Sequence, residues 1–226
     1  MISRADALRH VLERVAPLSP VEVEVASAAG LVLAEDVTAS RPVPPFANTA
    51  MDGIAVRAAD THHGAVLRLV GTVAAGDSGA IEVGRGQAVR IMTGAPVPPG
   101  ADAVVMVELC KFEGSGADET VTVASDVPVG NHIRPVGDDI AAGSVVLSAG
   151  SLISPGAIAL LRTVGRGTVR AHPRPRVGVM STGDELVEPP AELGPGQIYD
   201  SNRAALVALV TGSGFEPVDL GLIPDD

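Results

Sequence analysis

The apolar positions of this chain change period several times, and each change marks a boundary. Ala7, Leu8, Val11, Leu12 and Val15 recur at helical spacing behind Ser3, an N-cap type, and predict an amphipathic helix stopped by Pro17 and Pro20. Val21-Glu22-Val23-Glu24-Val25 then alternates as a half-buried strand. A turn at Ser27 to Gly30 leads to a second extended segment, Leu31–Val37. After the run Pro42–Pro45, from Ile54 to about Val129, every apolar run has strand length: Ala65–Val73, Ala88–Met92, Ala103–Val107 and Thr120–Ala124, separated by glycine turns. Short strands at such spacing with no helical stripe between them predict a compact β-barrel or sandwich.

Beyond this module, Ser154 as N-cap with Pro155 at the first helical position predicts a helix through Leu161, followed by a strand at Thr168–Ala171. The segments flanking the β module resemble each other, so residues 1–44 and 131–172 are read as a host domain. Residues 45–130 are read as a β domain inserted into it. Past Pro173 and Pro175 the pattern changes again. Arg176–Met180 is a non-alternating apolar strand, Asp200-Ser201-Asn202 caps a helix carrying Leu206, Leu209 and Val210, and Phe215–Ile223 forms the next strand. This βαβ order predicts that 173–226 begins a doubly wound parallel α/β domain. A two-stranded parallel sheet exposes both faces, so the domain is expected to be incomplete and the sequence a piece of a longer protein. The expected fold is therefore multidomain, α+β and α/β: an elongated α+β host with an inserted β-barrel-like domain, then a truncated parallel α/β domain.

Composition narrows the function classes. The 226 residues are 46% hydrophobic but only 2% aromatic, so the cores must be built from Val, Leu, Ile and Ala. A formal net charge of −11 repels nucleic acid and anionic membrane, and neither is expected as a partner. Lys111 is the only lysine, which excludes a Walker-type phosphate loop. No apolar run approaches the roughly 18 residues of a membrane span. The first residues lack a secretory core, and the expected location is cytoplasmic. Cys110, the single cysteine, excludes an internal disulfide and a cysteine-based zinc site.

Candidate chemistry falls in five places. Pro44–Arg57 puts Asn48, Thr49 and Asp52 in a proline-stiffened loop before a strand, and local pattern alone reads Asp52-Gly53 as a turn. Arg90–Pro96 ends a strand in a Thr93-Gly94 turn able to present a hydroxyl and amides to an anion. Asp138-Asp139 follows Gly137 in a loop. Ser181-Thr182-Gly183-Asp184-Glu185 lies at the carboxyl end of the first parallel strand, where open α/β sheets place ligands. Its hydroxyls and backbone donors fit phosphate or a pterin head group, and Glu185 is a candidate cation ligand. The same residues also fit a capped helix start with Glu185 near N3. Asp225 and Asp226 follow the second strand. His62-His63 lack metal-ligating neighbours, and Cys110 has no base placed beside it.

Taken together, PPFANTAMDGIAVR (44–57), RIMTGAPVPPG (90–100), Gly130–Gly143, VMSTGDEL (179–186) and QIYDSNR (197–203) resemble, in order, the molybdopterin molybdenumtransferases of the MoeA type, which are similar to the E domain of gephyrin. The resemblance implies a transferase of molybdenum cofactor biosynthesis. Its substrates would be adenylylated molybdopterin and molybdate, and Mg²⁺ would assist hydrolysis of the adenylyl group. Asp52, Thr93, Asp139 and Glu185 fall on the family's active-site positions. Ser181, Thr182, Gly183 and Asp184 fall on its pterin-binding loop, and Glu185, Asp225 and Asp226 on positions for metal. The resemblance further implies a homodimer and a molybdopterin adenylyltransferase as partner. The family's later lysine-bearing segments are absent from the sequence, so residues 1–226 alone are expected to be inactive. A non-catalytic, gephyrin-like scaffold that binds a peptide is the alternative the same resemblance allows.

Overall fold

The computed structural model describes residues 2–225, so the candidate acid Asp226 lies outside the described residues. Two compact units are present: one holds residues up to Glu35, Ser148–Leu161 and those from Arg166 onward; the other holds Asp36–Leu147 and Arg162–Gly165.

The second unit is built on a six-stranded sheet in the order Ala103–Met106, Gly53–Val56, Gln87–Ile91, Ala65–Val73, Thr120–Val123, Cys110–Glu113. Both faces are covered. Ile54, Val56, Leu67, Val105, Val121 and Val123 form one apolar cluster, while Ala55, Val73, Val89, Ile91 and Val104 form another. Alternate residues of one strand thus enter different cores, which is why Gly53–Val56 is buried at every position. The expected β module corresponds to this sheet, whose order leaves Ala103–Met106 and Cys110–Glu113 as its two edge strands. Its pairs are antiparallel except Ala65–Val73 with Gln87–Ile91, which run parallel and are joined by the long loop 74–86.

Gly53 differs from its expected role. It lies in a strand, not a hairpin turn, and its φ is not among the positive values. An added Cβ would sit 2.0 Å from the Val105 carbonyl oxygen. Glycine is required here because the neighbouring strand's backbone passes too close for any side chain.

A short strand, Asn48–Thr49, is hydrogen-bonded along both edges. It pairs antiparallel with Ile133–Arg134 on one side and bridges to Pro96 on the other. Thr49 N donates to Ala95 O at 3.2 Å, Gly94 N to Thr49 O at 2.9 Å, and Val97 N to Ala47 O at 3.0 Å. Asn48 and Thr49 are buried, so these two polar residues of the expected loop serve structure rather than ligand.

In the first unit, Val21–Glu24, Thr168–His172 and Val32–Leu33 form a three-stranded antiparallel sheet, with Val25, Leu33, Ile153, Leu161 and Ala171 buried. The expected segment Leu31–Val37 is thus broken into two short strands, Val32–Leu33 and Val37–Thr38. The helix Arg4–Leu12 is capped by Ser3, whose hydroxyl oxygen accepts from Asp6 N. Ser154 Oγ accepts from Ala157 N at 3.1 Å and caps Pro155–Thr163. Arg176–Thr182 pairs in parallel with Glu216–Ile223 across the helix Asn202–Gly212, the expected βαβ unit. Among the described residues, no helix is long and apolar enough to cross a membrane.

Gly53→Ala should destabilise the β module by about 2 kcal/mol or more, the cost of forcing a methyl against backbone. Gly64→Ala, where a Cβ meets nothing within 4 Å but φ is +76°, should cost only about 1 kcal/mol. Urea unfolding of the two variants measures the difference; equal losses would contradict the close-approach account.

Candidate functional site

The Thr93 loop forms because the strand Gln87–Ile91 ends in a β-turn. Ala95 N donates to Met92 O at 2.9 Å, and Gly94 takes the third position with φ +79°. The Asp52 loop is set by Thr49, whose hydroxyl donates to Met51 O at 2.7 Å and accepts from Met51 N at 3.1 Å. Val107 N donates to Asp52 O at 3.1 Å and fixes the backbone beneath the side chain. These constraints bring two distant motifs onto one oxygen. Asp52 Oδ1 accepts from both Thr93 N and Thr93 Oγ1 at 2.7 Å. Both residues are exposed, and Asp52 Oδ2 has no hydrogen bond to a described residue. The hydroxyl of Thr93, then its backbone N–H, holds the Asp52 pKa below the usual carboxylate value. The pair is therefore an anionic carboxylate with one oxygen anchored and one open.

Asp139 sits in the same unit, on a loop pinned to the proline segment: Asp139 N donates to Val43 O at 2.9 Å and Gly137 N to Pro44 O at 3.0 Å. Its carboxylate receives Arg134 Nη2 at 2.7 and 2.8 Å, while Arg134 Nε reaches Asp138 at 3.4 Å. The Asp139 carboxylate, aided by Asp138, raises the Arg134 pKa further above its ordinary value. The Asn48–Thr49 strand carries the Thr93 turn on one edge and Arg134 on the other, so three of the expected site residues share one framework.

Glu185 and the loop before it belong to the other unit. Ser181 and Thr182 end the Arg176–Thr182 strand, and Gly183 N donates to Ile223 O at 3.3 Å. No helix starts here, which corrects the helix-cap alternative. The chain turns at Asp184-Glu185 into a short strand, Leu186–Val187, paired in parallel with Ile198–Tyr199. Gly183 is buried with φ +145°, and the Glu185 carboxylate folds back over the position its Cβ would take, Oε2 lying 2.5 Å from it. Asp225 N donates to Asp184 Oδ1 at 3.2 Å, which joins the two strand-end loops.

Sequence reasoning missed Arg203. It is buried in the first turn of the helix Asn202–Gly212, bonds Asp200 through Nε at 2.9 Å, and is paired with Asp219 and Glu188. Asp219 has a lowered pKa, through the Gly221 N–H first and Arg203 second. A cation at a helix N-terminus opposes the macrodipole, so such a residue requires carboxylate partners, and that is the signal the sequence offered. The capping expectation is also refined: Ser201 makes no side-chain cap bond, whereas Asp200 Oδ1 accepts from Arg203 N at 3.1 Å.

Hard carboxylate oxygens on two joined loops, Asp184 and Glu185 with Asp225, are of the chemical type Mg²⁺ takes in ones and twos beside substrate phosphates. Among the described residues no group of three or more acidic, histidine or cysteine side chains forms a preassembled metal cage. Cys110 is not a nucleophile at neutral pH, since burial pushes its thiol up to about 11.

Comparison with known proteins gives a consistent match along the whole chain. A family model described as the MoeA N-terminal region (domain I and II) matches residues 2–165, and one described as a probable molybdopterin binding domain matches 178–226. The chain is 40% identical over 223 residues to molybdopterin molybdenumtransferase 2 of Mycobacterium tuberculosis, covering 96% of this chain and 54% of that protein. It is 39% identical over 228 residues to the molybdopterin molybdenumtransferase of Haemophilus influenzae, covering 100% and 55%. A crystal structure of the molybdopterin biosynthesis MoeA protein from Pyrococcus horikoshii OT3 superposes with a TM-score of 0.87 at 34% identity, over 100% of this chain and 61% of that one. The chain thus spans about half the length of the curated relatives it matches.

Thr93→Ala removes the larger of the two causes that depress Asp52 and leaves the backbone one. NMR titration of the Asp52 carboxyl should show its pKa rising part of the way to the usual value. Because the folded-state pKa is depressed, the stability this bond provides is present at neutral pH and is lost as pH falls through that depressed value. An unchanged titration in Thr93→Ala would contradict the assignment.

Proposed function

This chain belongs to the MoeA family, and from that premise we propose that it carries the first part of the machinery of a molybdopterin molybdenumtransferase, acting in molybdenum cofactor biosynthesis. The substrates in this reading are adenylylated molybdopterin and molybdate. The observation that carries it is the Asp52–Thr93 pair, in which residues 41 positions apart converge on one carboxylate oxygen and leave the other open.

The lowered pKa makes Asp52 a weak base, so its role is to orient rather than to deprotonate. Oδ2 accepts a hydrogen bond from the water that attacks the adenylyl phosphorus, while Thr93 keeps the carboxylate from rotating. Asp139 holds the Arg134 guanidinium, with both of its oxygens taken up by Nη2, at the edge of the same framework. Ser181, Thr182, Gly183 and Asp184 receive the pterin. Glu185, with Asp225 or Asp226, would hold Mg²⁺, which when bound offsets phosphate charge.

The organisation proposed with this activity has a host domain of residues 1–44 and 131–172, an inserted β domain of 45–130, and a molybdopterin-binding α/β domain beginning at 173. A homodimer, a molybdopterin adenylyltransferase partner and a cytoplasmic location belong to the same reading. Residues 1–226 by themselves carry its acidic groups and only one lysine, and are proposed to be inactive alone.

In an enzyme of the relatives' full length carrying these residues, Asp52→Ala should lower molybdenum insertion by about a hundredfold or more. The exposed position predicts little change in thermal midpoint. Insertion at the wild-type rate would return Asp52 to a purely structural role.

A further inference from the structure

The hydrogen-bonding polarity of Ser181 is set by the protein before any ligand arrives. Ser181 stands half-buried at the carboxyl end of its strand, and its Oγ lies 3.0 Å from Asp200 Oδ1. A carboxylate only accepts, so the serine proton is committed to Asp200 and the hydroxyl keeps only lone pairs for other groups. Asp200 is itself immobilised. Its side chain is 1% exposed, Oδ1 also accepts from Arg203 N at 3.1 Å, and Oδ2 accepts from Arg203 Nε at 2.9 Å. Arg203 is anchored in turn by Glu188 and Asp219. Rotating the serine proton away would leave a buried carboxylate one partner short, which is costly.

Charge points the same way. Glu188, Asp200 and Asp219 surround a single guanidinium, which leaves a net negative set behind Ser181. An excess of negative charge repels phosphate and favours a group that brings a hydrogen-bond donor.

We infer that Ser181 is a specificity residue that accepts a hydrogen bond from an N–H or amino group of the ligand, of the kind a pterin ring carries, and that it does not hold phosphate. Asp200 and Arg203 are positioning residues that impose this polarity. The inference rests on the proposed assignment of the Ser181–Asp184 loop to the pterin, and it assigns that loop to the heterocycle rather than to its phosphate.

The test measures binding of 6-hydroxymethylpterin and of inorganic pyrophosphate separately, by calorimetry on the full-length protein. Ser181→Ala should weaken pterin binding by about tenfold, the cost of one lost hydrogen bond, and leave pyrophosphate binding within about twofold. Asp200→Ala frees the serine proton, so the ratio of pyrophosphate to pterin affinity should rise, a selectivity change that simple loss of packing does not produce. If that variant fails to fold, Ser181→Ala decides alone. Unchanged pterin affinity in Ser181→Ala, or an equal loss for both probes, overturns the inference. Absence of pterin binding by the wild-type protein overturns instead the assignment of the loop to the pterin.

Discussion

The Asn48–Thr49 strand is hydrogen-bonded on both edges, and the geometry of the β-module site depends on it. On one side it holds Ala95 and Gly94, and hence the turn that presents Thr93; on the other it holds Ile133–Arg134, and hence the loop that carries Asp139. A two-residue strand has little stability of its own. Burial of Asn48 and Thr49 excludes water from those ladder bonds, and Thr49 also closes the turn that leads to Asp52. The proline segment is therefore best described as a clamp between two loops.

From that clamp the chemistry of Asp52 follows in steps. The carboxylate meets two donors on Thr93, and the charged form is favoured because both bonds are made to it. A group held in this way is a poor proton acceptor and a good fixed hydrogen-bond acceptor. The opposite strategy is seen in the α/β unit. There the buried Arg203 gathers carboxylates around itself and passes a fixed polarity to Ser181 through Asp200. Both devices spend side-chain freedom in the folded protein so that none has to be lost when a ligand binds.

Much of the fold was legible in the sequence. Helical spacing behind Ser3, the Ser154-Pro155 start, the strand-length runs of the β module and the βαβ unit all correspond to observed elements. What was not legible depends on non-local pairing. Gly53 reads as a turn residue in its own neighbourhood, yet the demand for glycine comes from the Val105 carbonyl on another strand. Asn48 and Thr49 read as loop polar groups until their ladder partners, more than forty and more than eighty residues away, bury them. The Ser181–Glu185 loop reads equally as a helix start because the competing strand partner, Ile198–Tyr199, comes only after the intervening loop 188–197. Of the site, the residue types and their loops were legible. The Asp52–Thr93 contact and the Arg203 network were not, although a cation in a helix's first turn marked where such a network had to lie.

The central claim is that Asp52 and Thr93 act as one unit. A double-mutant cycle on molybdenum insertion, using Asp52→Ala, Thr93→Val and the double variant in an enzyme of the relatives' full length carrying these residues, tests it directly. The account predicts that the double variant is no slower than Asp52→Ala alone, because removing the carboxylate and its acceptor oxygen leaves Thr93 nothing to hold. Losses that multiply, as for two independent residues, would contradict it.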